Sequence, residues 1–162
     1  DSITFLMDMF ESQYIIGAKN GQEAWSQYAQ YFKNLMQMHV ATTDKHVVML
    51  AHTRSEQDAM MIDRVSVPIK GSLKNNGIEA YFSTVVAAKR MPLTELKGFD
   101  PNLLRITPDD EALGFKYVFQ TRLTKTTIGE RIRGPMGLFE TNQSFMDNNV
   151  GLLLDHMIKY YT

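Results

Sequence analysis

The most constraining feature of the sequence is an uninterrupted apolar run, Val47 to Ala51, with Lys45 and His46 before it and His52 after it. A run of five apolar residues is too short for an ordinary helix and is typical of a strand buried on both faces, as in parallel sheets. In open α/β sheets, ligands bind at the carboxyl end of such strands. The run therefore predicts an α/β domain built around a central strand, with His52 at the end where a ligand would bind.

Composition limits the class of protein. The chain has 162 residues, 44% hydrophobic and 22% charged, which suits one domain with a real core. A net charge of −1 means that binding to nucleic acid or to an anionic membrane would need a local basic patch. The absence of cysteine excludes a disulfide framework, thiol catalysis and a zinc-thiolate site. With no membrane-span or signal pattern, we expect a cytoplasmic protein that does not bind membranes.

Hydrophobic periodicity predicts the remaining elements. Apolar residues at helical spacing predict helices over Ile3 to Ile16, over Glu23 to Val40 and from Ser144 onward, with Asp147 as a first-turn acid. The lone Trp25 lies on the second helical stripe and is predicted to belong to the core. We predict strands over residues 64–69, 83–91 and 115–127, the last with one exposed side, and a short helix over residues 71–82. No linker divides the chain, so residues 1–162 are predicted to form one domain.

Three polar residues are candidates for chemistry. Asp1 looks like a carboxylate at a strand end, which suits magnesium because this hard cation prefers oxygen ligands, and Ser2 could add a hydroxyl. The alternative for Asp1 is a solvated terminal acid. The opening residues read as the end of a strand, so we expect the chain to be incomplete at its amino terminus. His52 is either a catalytic residue or a hydrogen-bonded structural one, and the lack of a Gly-x-Ser-x-Gly elbow argues against a hydrolase triad.

Two groups of cations are candidates for binding. The first lies between Lys116 and Arg133 and has Glu130 as its only acid, so it could complement a phosphate or form the charged face of an edge strand. The second follows His52 and could bind single-stranded DNA, although Glu56, Asp58 and Asp63 dilute it. Its members are Arg54, Arg64, Lys70 and Lys74.

The order of these segments resembles the second half of a RecA-type ATPase core. The resemblance covers Asp1 to about Phe139 and is strongest in Asp1-Ser2-Ile3-Thr4, Val47 to His52, Gly71 to Met91 and Phe119 to Pro135. The third of these stretches begins with a Gly-x-x-Lys-x-x-Gly-Ile-Glu-Ala-Tyr-Phe motif. The resemblance is strongest to phage-encoded RecA-like nucleotide-binding proteins of recombination and single-strand annealing. It implies a three-layer α/β sandwich with a mostly parallel sheet flanked by helices, incomplete at the amino terminus.

The resemblance also implies roles for individual residues. Asp1 would be the Walker B aspartate that supports Mg²⁺ beside the ATP, with Ser2 next to it, and His52 would be the polar sensor at the γ-phosphate. Residues 53–70 would form a mobile loop that binds single-stranded DNA. In a homo-oligomer, a cation of one subunit would reach the nucleotide of its neighbour. The candidates for that cation are Arg122, Lys125 and Arg131.

One departure from the family bears on activity. The sequence contains no Gly-x-x-x-x-Gly-Lys-Ser/Thr loop to cradle phosphates, and the family's catalytic glutamate is absent. We therefore expect ATP hydrolysis only if the missing half is supplied. The preferred function is part of an ATP-binding, DNA-acting RecA-like ATPase of phage recombination or annealing, in the host-cell cytoplasm if phage-encoded. The alternatives are a non-catalytic single-strand-binding or oligomerisation module and another P-loop motor, such as a helicase or packaging ATPase.

Overall fold

The structure is a computed structural model that describes residues 2–75 and 77–162. The chain divides into two compact units, which we call unit 1, ending at Phe82, and unit 2, beginning at Ser83. Unit 1 contains a two-stranded sheet and unit 2 a three-stranded sheet. The two units are described separately below.

Two helices occupy the first half of unit 1. Helix α1 spans Ile3–Phe10 and continues as a π-helical turn over Glu11–Ile15. Helix α2 spans Gly21–Asn34 and continues as a π-helical segment over Leu35–Val40. The Asn20 side chain caps α2 by accepting a hydrogen bond from a first-turn N–H. Both helices predicted in this part of the chain are confirmed.

The core of unit 1 lies on one face of α2. Tyr28, Phe32 and Met36 follow one another at four-residue spacing and are at most 2% exposed, as expected of an amphipathic stripe. Trp25 is half-buried and packs against the same core. Burial raises the pKa of Tyr28 to about 12, which is consistent with a desolvated phenol.

The segment Lys45 to His52 does not form the predicted strand. It belongs to neither sheet, and Val47, Val48 and Leu50 are 38%, 50% and 63% exposed. We call it the extended segment. The prediction of a central strand buried on both faces is wrong, because no strand among residues 2–75 and 77–162 pairs with this segment.

A β-hairpin follows the extended segment, where the sequence suggested a mobile loop and then one strand. Strand β1 spans Arg54–Gln57 and strand β2 spans Asp63–Ser66, and they pair antiparallel. Two short 3-10 helices, Gly71–Asn75 and Ile78–Tyr81, end unit 1. They lie where a single short helix was predicted.

Unit 2 is a small antiparallel sheet with helices. Its strands are ordered β3-β4-β5, and its two α-helices precede β4 and follow β5. The strands are β3 over Ala87–Pro92, β4 over Phe115–Gln120 and β5 over Phe145–Asp147, and the helices are α3 over Pro108–Leu113 and α4 over Val150–Tyr161.

Two predictions for unit 2 are wrong in detail. Strand β4 has no single exposed side, because Val118 and Gln120 are 0% exposed on one face while Phe119 is 8% exposed on the other. Phe119 and Val118 each pack in a separate apolar cluster, so both faces of this end of the strand are covered. Asp147 is not a first-turn acid of α4. It ends β5, and the Asn149 side chain caps the helix instead.

The predicted fold class is also wrong. Every strand pair in the described part of the chain is antiparallel, so neither a mostly parallel sheet nor a three-layer RecA-like sandwich is present there. The prediction failed because it assumed that the extended segment was the central strand of one sheet. None of the described helices combines the length and the apolar character that a membrane crossing requires.

Candidate functional site

Ser2, Thr4 and His52 lie where α1 begins and the extended segment ends, and we call this group the polar junction. The Thr4 hydroxyl oxygen accepts a hydrogen bond from the backbone N–H of His52 at 3.0 Å. The backbone N–H of Ile3 donates to the Leu50 carbonyl oxygen at 2.8 Å. The structure therefore joins the two stretches that contain the predicted nucleotide-binding residues Ser2 and His52.

The Ser2 hydroxyl is a buried polar atom with no hydrogen-bond partner in the described part of the chain. Ser2 is the N-cap residue of α1, yet its side chain makes no capping hydrogen bond, although serine at this position usually does. Leaving a buried hydroxyl unpaired costs about 1–3 kcal/mol.

His52 is exposed and has a free imidazole edge. Its ring contacts Phe5 in an edge-to-face arrangement, with centroids 5.3 Å apart and planes at 72°. Its ring nitrogens make no hydrogen bond to another described residue. The backbone of His52 is thus held while its ring remains able to contact a ligand.

The metal ligand predicted at Asp1 lies outside the described residues. Within residues 2–75 and 77–162, no three histidine, aspartate or glutamate side chains are grouped so that they could hold a metal ion.

The predicted DNA-binding cations Arg54 and Arg64 lie on the hairpin and form ion pairs there. Arg54 Nε is 3.2 Å from Glu56 Oε1, and Arg64 Nη2 is 2.8 Å from Asp58 Oδ2. The N–H of Ile62 and the guanidinium of Arg64 hold the pKa of Asp58 below its usual value. The Arg54–Glu56 pair is exposed on both sides, whereas Asp58 also accepts hydrogen bonds from the N–H groups of Met60 and Ile62, so Arg64 is the more firmly held of the two cations.

Lys70 and Lys74 lie after the hairpin. Lys70 Nζ is 2.5 Å from Glu11 Oε2 of the π-helical turn after α1. Lys74 is exposed on the first 3-10 helix and forms no ion pair with another described residue. The four predicted DNA-binding cations therefore lie along one stretch of unit 1, and Lys74 is the one that forms no ion pair with a carboxylate in the described part of the chain.

The three cations predicted to act on a neighbouring nucleotide lie in unit 2, in the segment that follows β4. Arg122 Nη1 donates to the Phe139 carbonyl oxygen at 2.6 Å. Lys125 is exposed on a turn closed by the Thr127 N–H and the Thr124 carbonyl at 3.1 Å. Arg131 is exposed beside the buried Ile132. Lys125 is the one most open to an external phosphate.

Lys116 does not belong to this exposed group, because it is largely buried against two carboxylates. Its Nζ lies 2.9 Å from Asp110 Oδ2 and 3.4 Å from Asp147 Oδ1, and its side chain is 12% exposed. Burial alone would lower the pKa of Lys116, but the carboxylates of Asp110 and Asp147 raise it above its usual value. Lys116 is thus structural and is not part of a phosphate-binding surface.

Gln120 connects the turn after β4 to the sheet. Its side chain is fully buried, donates to the Arg122 carbonyl at 2.7 Å and to the Thr127 hydroxyl at 2.9 Å, and accepts from Lys89 Nζ at 2.7 Å. Lys89 also pairs with Glu130. This network fixes the backbone that carries Arg122 and Lys125.

A cavity of about 350 Å³ lies beside this network in unit 2. Two of its lining residues are arginines and most of the others are apolar. Those that matter chemically are Arg122, Leu123, Ile132, Arg133, Met136 and Phe139. The sequence alone does not identify this cavity, because its walls come from the segments 121–123 and 132–139, which are brought together only by folding.

The chain matches no family model, no curated protein and no solved structure. Function therefore has to be inferred from the residues described above.

The sequence did not indicate that Phe5 contacts the His52 ring or that Gln120 holds the turn after β4. Phe5 fits an apolar helical stripe, and Gln120 fits an alternating strand, so neither residue stands out by its pattern.

Proposed function

We propose that this chain is part of an ATP-binding protein that acts on single-stranded DNA, with the polar junction facing the phosphates of the nucleotide. The buried Ser2 hydroxyl, which has no partner in the described part of the chain, carries the proposal. A phosphate oxygen or hydrated Mg²⁺ would supply that partner. The sequence resemblance to RecA-type ATPases also pointed to Ser2 and His52, but the described part of the chain does not have the fold that this resemblance implied.

Each residue of the junction then has a role. Ser2 binds an oxygen of the magnesium nucleotide, and Asp1, its neighbour in sequence, supports the metal through water. The His52 ring contacts the terminal phosphate, while Thr4 fixes the His52 backbone. Attack of water on the γ-phosphate of ATP, with ADP as the leaving group, would drive assembly on DNA.

The hairpin is the proposed DNA-contacting element. His52 lies two residues before Arg54, where β1 begins, so a shift of His52 on nucleotide binding would reach the hairpin directly. At the hairpin tip, Met60 and Met61 are 79% and 76% exposed. Apolar side chains beside cations suit contacts to the bases and phosphates of a single strand.

A neighbouring copy of the chain contributes a cation to the proposed nucleotide site. A cation from the next subunit would stabilise charge on the transferring phosphate. Lys125 suits this role best, because it is exposed on a turn, whereas Arg122 lines the unit 2 cavity.

The test is to measure ATP hydrolysis and single-strand affinity of the full-length natural protein and of its Ser2→Ala and His52→Ala variants. We expect Ser2→Ala to weaken MgATP binding about tenfold, the effect of losing one hydrogen bond to a charged group. We expect His52→Ala to lower hydrolysis and its stimulation by DNA more than it lowers ATP affinity. His46→Ala is the matched control, since His46 is another exposed histidine of the extended segment.

The outcomes separate the alternatives. Wild-type behaviour of both variants would refute a nucleotide role for the junction. Single-strand binding without ATP binding would favour a non-catalytic binding or oligomerisation module. A preference for duplex DNA with directional translocation would favour a helicase or packaging motor.

A further inference from the structure

The unit 2 cavity combines positive charge with an apolar wall. Arg122 and Arg133 both line it, and the ten described lining residues include no acid. Its volume of about 350 Å³ is within the range of small-molecule sites. A cavity with two guanidinium groups and no carboxylate is electrostatically suited to an anion.

Both arginines retain donors for a ligand. Arg133 is exposed, and its side chain forms no ion pair with any residue of the described ranges. Arg122 donates from Nη1 to the Phe139 carbonyl, which leaves other N–H groups of its planar fork free. Guanidinium forks bind phosphate oxygens with two parallel hydrogen bonds.

The apolar wall suits the body of an organic ligand better than a bare ion. Met136 is 95% exposed and Leu123 46% exposed, while Ile132 and Phe139 lie deeper. An exposed methionine beside a cavity offers a flexible, polarisable surface. The ligand class that fits both walls is a phosphate ester with an apolar or planar body.

The backbone around the cavity is already held in place. Arg133 exchanges two backbone hydrogen bonds with Val85, at 2.8 and 3.1 Å. The Tyr160 hydroxyl donates to the Met136 carbonyl at 2.8 Å, and the Gln120 amide donates to the Arg122 carbonyl. Such pre-organisation lowers the entropic cost of binding a ligand.

We propose that the unit 2 cavity is a binding site for an organic phosphate. The phosphate contacts Arg122 and Arg133, and the organic body packs on Met136 and Leu123. The source of the phosphate is either a free nucleotide or a nucleotide unit of a DNA strand. This site does not depend on the polar junction of unit 1.

The test is to titrate the full-length natural protein with adenosine 5′-monophosphate, with adenosine and with an oligodeoxythymidylate that lacks terminal phosphates. The variants are Arg133→Ala, which removes a cation, and Met136→Glu, which places a carboxylate at an exposed position of the wall. Arg105→Ala is the matched control, because Arg105 is an exposed arginine of unit 2 that does not line the cavity. Ser2→Ala separates this site from the polar junction.

We expect Arg133→Ala and Met136→Glu each to raise the dissociation constant of the monophosphate about tenfold or more. Arg105→Ala and Ser2→Ala should leave it unchanged, and adenosine should bind more weakly than the monophosphate. If the two variants weaken binding of the oligonucleotide while the monophosphate does not bind saturably, the phosphate of this site belongs to a DNA strand. No saturable binding of either phosphate ligand by the wild-type protein, or equal effects of Arg133→Ala and Arg105→Ala, would overturn the proposal.

Discussion

Replacing Gln120 with methionine should destabilise unit 2 and free the turn that carries Lys125. Gln120→Met keeps the length of the side chain but removes its amide, and with it three hydrogen bonds. These join Gln120 to Lys89, to the Arg122 carbonyl and to the Thr127 hydroxyl. The residue is fully buried, so water does not replace the lost partners.

The size of the effect follows from these three bonds. Each contributes about 1 kcal/mol net, and the orphaned Arg122 carbonyl adds a desolvation cost. Lys89 keeps its pairing with Glu130 and Thr127 keeps its contact with Thr124, so neither is left unpaired. We therefore expect a loss of about 2–4 kcal/mol, a large share of the about 5–15 kcal/mol that stabilises a typical domain.

Native-state hydrogen exchange of the β4 amides measures this loss within unit 2. Trp25 fluorescence in a urea titration reports on unit 1, where the only tryptophan lies. Gln57→Met is the matched control, since Gln57 is exposed on β1, and it should change stability by less than about 0.5 kcal/mol. A loss below about 1 kcal/mol for Gln120→Met would refute the idea that this network holds the turn.

Three further predictions concern stability. Phe32→Ala, at a 0% exposed position, should cost about 3–5 kcal/mol in a urea titration followed by Trp25 fluorescence. The same change at Tyr31, which is 42% exposed, should cost clearly less, and equal costs would contradict the proposed core. Asn149→Ala removes the side-chain cap of α4 and should cost about 1 kcal/mol by hydrogen exchange in that helix; no change would argue against the cap. Burial alone would raise the pKa of Asp110, but the Thr107 N–H and the Lys116 ammonium lower it below its usual 3.8. The stability that this carboxylate contributes is therefore present above pH 3.8 and is lost as the pH falls through the lower pKa of the folded state. In a plot of the free energy of unfolding against pH, Asp110→Asn should reduce the fall in stability at acid pH.

Local patterns predicted the three longer helices, α1, α2 and α4, but not the six-residue α3. The stripe of Tyr28, Phe32 and Met36 recurs every four residues, and such a period determines which face of a helix is buried before any distant contact is known. The helix at the carboxyl end was found for the same reason, although its start was placed too early because Phe145 and Met146 also fit an apolar stripe.

Sheet partners could not be predicted in the same way. The run Val47 to Ala51 has the composition of a buried strand, but burial of a strand depends on neighbours that its own residues do not specify. In the structure the extended segment has no paired strand among the described residues, and its apolar side chains remain largely exposed. The antiparallel pairing of β4 with both β3 and β5 likewise depends on contacts between residues far apart in sequence.

The candidate site was predicted in part. Ser2 and His52 were named through the resemblance, but the hydrogen bond that links His52 to Thr4 spans 48 positions and has no local signal. Arg133 was noticed as one cation of a group, whereas its place in a cavity depends on the folding of residues 121–139 around it.

The most direct test of the polar junction is the NMR signal of the His52 ring during titration of the full-length natural protein with MgATP. We predict a saturable shift of the His52 ring resonances, with those of His46 unchanged, and loss of the shift in Ser2→Ala at the same nucleotide concentration. MgATP binding that leaves the His52 resonances unmoved would contradict a nucleotide site at the junction. So would a His52 shift that Ser2→Ala does not reduce.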